Sequence, residues 1–133
     1  MSSPFNEGQA YSRREIAAEL GGSIQSYIPS IGSRPLAICV RRSLNPEAPD
    51  RIFVSNRSGL RRLAENLVSH GSGVPTFVAQ DGPGDPDAAD GWAYAGQFVG
   101  VRIVTDQASI DQAAAISGRF DLQCIIECER VGG

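Results

Sequence analysis

The chain has no lysine; all twelve basic residues among its 133 are arginine. Histidine occurs once, as His70, so a His-rich metal site is excluded. His70 ends a segment of helical period, where a helix C-terminus favours a cation with no catalytic role. The three cysteines, Cys39, Cys124 and Cys128, lie in apolar strand-like runs without zinc spacing. Cys124 and Cys128 share one strand face and cannot pair without distorting it, so buried free thiols are expected. No Ser or Cys stands in a nucleophile motif, and no glycine loop matches a phosphate cradle. The four aspartates of Asp81–Asp90 do not match a calcium loop, and a solvated acidic loop is expected there. Catalysis, cofactor and metal are therefore not expected. No apolar run approaches the ~20 residues of a membrane-spanning helix, and the first fifteen residues lack the apolar centre of a signal peptide. The expectation is a cytoplasmic protein with no membrane partner.

What charge there is lies unevenly. The net charge is −3. Residues 1–62 hold nine Arg against Glu7, Glu15, Glu19, Glu47 and Asp50, which is +4. Residues 63–133 hold three Arg against ten acids, which is −7. Such asymmetry hints at a polyanion-binding face, and arginine is the residue suited to forked contacts with phosphate or guanine. A coding bias that replaces lysine throughout, or folding that mixes the halves, reads the same numbers blandly.

The longest strand signal is Gly91–Val104. Its odd positions Ala93, Ala95, Val99, Val101 and Ile103 form an aliphatic face, and its even positions carry Trp92, Tyr94 and Phe98. The expectation is core on the first face and a ligand or neighbouring element on the second. A bulge at Gly96 or Gly100 inverts that assignment beyond it. Before this strand, residues 1–11 read as a flexible leader and 12–133 as a single domain. Ser12-Arg13-Arg14-Glu15 is a capping box opening a short helix that Gly21-Gly22 ends. Strands follow over 36–42 and 51–55. Leu60, Leu63, Ala64, Leu67 and Val68 then give the clearest helical period in the chain. A strand over 74–79 precedes the long one. A weak helix capped by Ser109 and a final strand from Leu122 close the order. No strict β-α alternation and no repeat occur. The fold class is α+β, with a curved mixed sheet or small pseudo-barrel of about five strands and two to three flanking helices.

An arginine-rich half, a polar loop bearing Tyr27 and an aromatic strand suit a nucleic-acid-binding module. Tyr27, with Trp92 or Tyr94, are the candidate stacking groups, and Gln25, Ser26 and Asn56 have donors and acceptors for a base edge. Arg41, Arg42, Arg57, Arg61 and Arg62 are the candidate phosphate contacts. Trp92 and Phe98 read more readily as core than as ligand contacts, and Arg41 and Arg42 also read as strand flanks. The order of elements, with Tyr94-Ala95-Gly96 opening the long strand, resembles the PUA-like superfamily and within it the SRA (YDG) modules that read 5-methylcytosine in DNA. The likeness is one of pattern over roughly residues 12–130. Where the SRA family carries Tyr-Asp-Gly, this chain has Tyr94-Ala95-Gly96, which leaves the role of that Asp unfilled. The resemblance implies double-stranded DNA as partner, with a flipped modified base held between aromatic side chains. It also implies arginine-bearing loops on the duplex and, because such modules are often fused to a nuclease, a nuclease or other effector partner. An RNA- or nucleotide-binding PUA-like module and a protein-interaction or assembly domain, including a homo-oligomer, are the alternatives.

Overall fold

The computed structural model describes residues 4–80 and 91–131. Along the chain run β1 (Ala10–Tyr11), α1 (Arg13–Leu20), β2 (Ser30–Ile31), β3 (Arg34–Pro35), β4 (Ile38–Arg41) and β5 (Arg51–Ser55). They are followed by α2 (Leu60–His70), β6 (Val74–Ala79), β7 (Trp92–Val104), α3 (Gln107–Ser117) and β8 (Leu122–Arg130). The main sheet has the order β4-β6-β7-β8-β5, curled into a half-barrel, while β2 and β3 pair separately. Only β4 and β6 run parallel, and the other pairs of the path are antiparallel. The mixed α+β expectation holds. The acidic stretch Asp81–Asp90 lies outside the described residues.

Local chemistry sets the element ends. The Ser12 hydroxyl accepts from the Glu15 amide at 3.0 Å, and the Ser12 amide donates back to Glu15 Oε1 at 2.9 Å. This satisfies two of the backbone donors that a helix start leaves unpaired. Asp106, not Ser109, caps α3: its carboxylate accepts from the Ser109 amide at 3.0 Å, so the helix starts three residues before Ile110. α2 lays Ala64 and Leu67, both fully buried, onto β7.

The sheet is buried on both faces at one end, which explains the unbroken apolar character of β4. Ile38 and Val40 join Ile52, Val54, Leu67 and Phe98 in the core under α2. Cys39 joins Phe5, Ile16, Phe77, Trp92 and Tyr94 on the opposite face. Within the segment expected to be a flexible leader, Phe5 is buried and β1 is paired. Phe5 is buried edge-on against Tyr11 and Phe77, with ring centroids 4.9 Å away in each case. Gly8 and Gln9 exchange backbone hydrogen bonds with Tyr94, and β1 pairs with Ala93 and Trp92. One buried phenylalanine and a free strand edge outweigh the polar composition of the stretch.

The aromatic face of β7 is also corrected. Trp92, Tyr94 and Phe98 are all buried, whereas Val101 of the supposed core face is exposed. Two bulges cause this. Thr76 pairs with Gly96 but Phe77 with Tyr94, leaving Ala95 as an extra residue beside Gly96, whose φ of +113° suits glycine. Gly100 pairs with Cys128 but Arg102 with Glu127, leaving Val101 extra. The first bulge switches faces, so Trp92 and Tyr94 bury against α1 and the N-terminal segment while Phe98 enters the core under α2. Gly100 lets that helix approach: a Cβ there would sit 3.1 Å from Leu67 Cγ.

Candidate nucleic-acid interface

The curl brings the two edge strands, β4 and β5, to opposite walls of a cleft of about 810 Å³. An open sheet edge carries unpaired backbone groups that must be covered. At β4 the Cys39 amide donates to the Tyr27 carbonyl at 2.8 Å, so the 23–27 loop covers that edge. At β5 side chains do it. The Phe53 amide donates to Asn45 Oδ1 at 2.8 Å, and Arg119 Nη1 donates to the carbonyls of Phe53 and Leu44 at 3.1 and 3.0 Å. Covered in this way, the two edges remain apart and the half-barrel keeps a mouth, a common location for ligand sites.

Six of the sequence candidates line this mouth: Gln25, Ser26, Tyr27, Arg41, Arg57 and Trp92. Tyr27 is half-buried, and its hydroxyl donates to the Leu60 carbonyl at 2.6 Å, which fixes the ring against the start of α2. Burial pushes its phenol well above the ordinary value, so it stays a neutral donor. Trp92 differs from expectation, because its ring is 5% exposed and lies under two cations. Arg13 and Arg41 stand 5.0 and 5.5 Å from its centroid. Trp92 is thus a floor on which guanidinium groups rest through cation–π attraction.

Arg13 is part of the α1 capping box in the sequence, and the structure places it in the cleft lining. Arg13 Nη2 donates to the carbonyls of Ser23 and Ser26 at 2.9 and 2.8 Å, tying the donor-rich loop to α1. Desolvation pushes its pKa down, and its Nε is buried without a hydrogen-bond partner among the described residues. Arg119 is half-buried too, its pKa lowered first by desolvation. With Arg14, Arg41 and Arg57 they make five arginines on the lining, and no Asp or Glu is among the described residues that line it. Asn45 and Ser55 complete the polar wall. Arg14 lies within the capping box, but Arg119 stands 57 residues beyond the last arginine candidate, Arg62, and nothing local marks it.

The remaining candidates fall elsewhere. Tyr94 is buried on the opposite face beside Phe5 and Phe77, its hydroxyl accepting from Gln97 Nε2 at 3.2 Å, so it cannot stack on a base. Arg42 Nη1 turns into its own loop and donates to the Ala48 carbonyl at 2.6 Å. Asn56 is exposed beside the cleft but not part of its lining, its backbone amide donating to the Asp121 carbonyl. Arg61 pairs with Glu65 along α2, and Arg62 is exposed on the same helix; neither lines the cleft. Cys39 sits in the wall, but burial lifts its thiol to about 12 and leaves it inert.

No known family and no curated protein matches the sequence. Solved structures do match. The SRA domain of SUVH5 in complex with hemimethylated CG DNA superposes with a TM-score of 0.65 at 12% identity, over 100% of this chain and 93% of that one. The same domain with methylated CHH DNA gives 0.59 at 13% identity, with the same coverage. The fold is SRA-like. The modification-dependent restriction endonuclease TagI matches with a TM-score of 0.54 at 16% identity, and this chain spans 51% of it. Within the SRA-like frame, Tyr94-Ala95-Gly96 builds the first β7 bulge and anchors an aromatic cluster. Ala95 is the extra residue of that bulge and packs against the core under α2.

Proposed function

We propose that this domain is a non-catalytic DNA reader that accepts a modified base, 5-methylcytosine in the first instance, flipped from a duplex into the cleft between β4 and β5. The observation that carries the reading is the cleft itself: an aromatic ring held at its wall and five arginines around it, on a fold shared with domains solved on methylated DNA. Extrusion of a base costs a few kcal/mol, returned by stacking and by hydrogen bonds to the base edge. Tyr27 supplies the stacking face, and Gln25 and Ser26 the adaptable edge contacts. Exposed Arg14 and Arg57 hold the flanking phosphates. Arg61 and Arg62, further along α2, would extend that track. Phe120, 96% exposed beside Arg119, together with Leu44 at 45%, gives an apolar rim suited to the gap that the base leaves. Any cleavage coupled to recognition would come from outside this domain.

The test is a titration at fixed moderate salt of one short duplex, plain and 5-methylated, with a single strand and an RNA of the same sequence. Tighter binding of the methylated duplex is the expected result. Equal affinity for plain and methylated duplex refutes the reading, and stronger binding of RNA would favour an RNA-binding PUA-like module instead.

A further inference from the structure

The character of the cleft goes beyond a methyl-sized mark. A methyl group asks only for apolar contact, and Val40, Leu44, Ile52 and Val54 provide it. The same walls also carry guanidinium groups, which a methyl group cannot engage. Arg13 and Arg119 are both half-buried, and each is fixed by carbonyl acceptors. Arg13 retains a buried, unmatched Nε–H among the described residues. Asp121, the carboxylate nearest Arg119, stands 3.6 Å from its Nε and also accepts from the Ser55 hydroxyl at 2.8 Å. It does not line the cleft. Ser55 and Asn45 are themselves engaged, so the wall has few free acceptors for a base amino group. The volume of about 810 Å³ lies high in the range of ~300–1,000 Å³ that houses drug-sized ligands, so one pyrimidine leaves room beside it.

We infer that the cleft prefers a pyrimidine bearing an anionic, oxygen-rich 5-substituent, the carboxylate class, over one bearing a methyl group, with Arg13 and Arg119 receiving the substituent. The inference rests on the base-reading proposal above and narrows its ligand. Guanidinium groups meet carboxylates with forked, charge-assisted hydrogen bonds. A backbone phosphate offers the same chemistry to the same arginines, but it is present equally in every duplex and cannot generate a preference among them.

The experiment compares five duplexes identical except for one cytosine: plain, 5-methyl, 5-hydroxymethyl, 5-formyl and 5-carboxyl. The formyl group is the neutral counterpart of the carboxyl group, so this pair separates charge from size without any variant. The 5-carboxyl duplex is expected to bind at least tenfold more tightly than the 5-methyl and 5-formyl duplexes. In the variant Arg13→Gln the carboxyl duplex should lose its advantage over the formyl duplex. Arg13→Lys, which keeps the charge but loses the fork, should retain part of it. If the methyl duplex binds as tightly as the carboxyl duplex, or the formyl duplex does, the inference is overturned while the reader stands. If all five bind alike, the base-reading proposal fails with it.

Discussion

Tyr27 makes two separable contributions, and two substitutions divide them. Its hydroxyl donates one hydrogen bond, at 2.6 Å, to the Leu60 carbonyl, and its ring packs on the core under α2 while lining the cleft. Tyr27→Phe removes the hydrogen bond and keeps the ring. One neutral hydrogen bond is worth about 0.5–1.5 kcal/mol net, so the urea midpoint should fall slightly. Binding of the modified duplex should stay within about twofold, because the phenol is not asked to touch the base. Tyr27→Ala removes the stacking face. Stacking is worth roughly 1–3 kcal/mol per base, and 1.4 kcal/mol is tenfold, so affinity for the modified duplex should drop roughly 5- to 150-fold. Its stability cost should lie below the ~3–5 kcal/mol of a fully buried aromatic, since Tyr27 is half-buried. A domain of ordinary stability, ~5–15 kcal/mol, survives that. The assay is an anisotropy titration of plain and modified duplex with each variant, after circular dichroism has confirmed folding. A folded Tyr27→Ala protein that retains the full preference for the modified duplex would refute Tyr27 as the stacking group.

Other consequences can be checked with the same protein. Gly100→Ala places a Cβ 3.1 Å from Leu67 Cγ and 3.3 Å from Val68 Cγ2, and should cost about 1–3 kcal/mol by overpacking, read as a lower urea midpoint at unchanged m. Arg42→Ala should lower stability, because its bond to Ala48 holds the loop before β5, yet leave the salt dependence of DNA binding intact. Arg57→Gln should do the opposite, with the slope of log K against log salt falling in magnitude by about 0.9 for each lost phosphate contact. Glu127 joins Arg102 of β7 and Arg51 of β5, and these partners, Arg102 first, hold its carboxyl below the usual range. A carboxyl depressed on folding stabilises above its unfolded pKa and loses that contribution as pH falls through its folded one. Glu127→Gln should therefore flatten the acid limb of the stability profile below about pH 5 and change little in high salt, measured by thermal melts across pH.

Much of the architecture was legible because it rests on short-range rules. Ser12 and Glu15 announced α1, the stripe from Leu60 to Val68 announced α2, and the order of strands pointed to the correct fold class. The faces of β7 were not legible. Alternation assigns faces only while the register is unbroken, and glycine marks where a bulge can form without saying whether a partner strand demands one. Thr76 and Phe77 do, from another strand. The candidate site divided along the same line. Gln25, Ser26 and Tyr27 line the cleft, and a donor-rich loop with one aromatic is a local signal. Arg119 lines the cleft and Arg42 turns into its own loop, and neither placement is a local signal, because the direction of a guanidinium depends on which carbonyls the fold brings near it. Phe5 shows the same limit, since a polar stretch looks free until a strand edge and an aromatic cavity are there to receive it.

The cleft draws its walls from stretches as distant as Ser12 and Arg119, and from the two strands that end the sheet on either side. A molecule seated there bridges those strands as one more rung would, and it does so only when the whole domain is folded. Occupancy and folding are then linked quantities. At a hundredfold excess over Kd a bound duplex should add about 2.7 kcal/mol to the unfolding free energy. A thermal melt in the presence of a set of modified oligonucleotides thus reports the preferred mark without label or reporter.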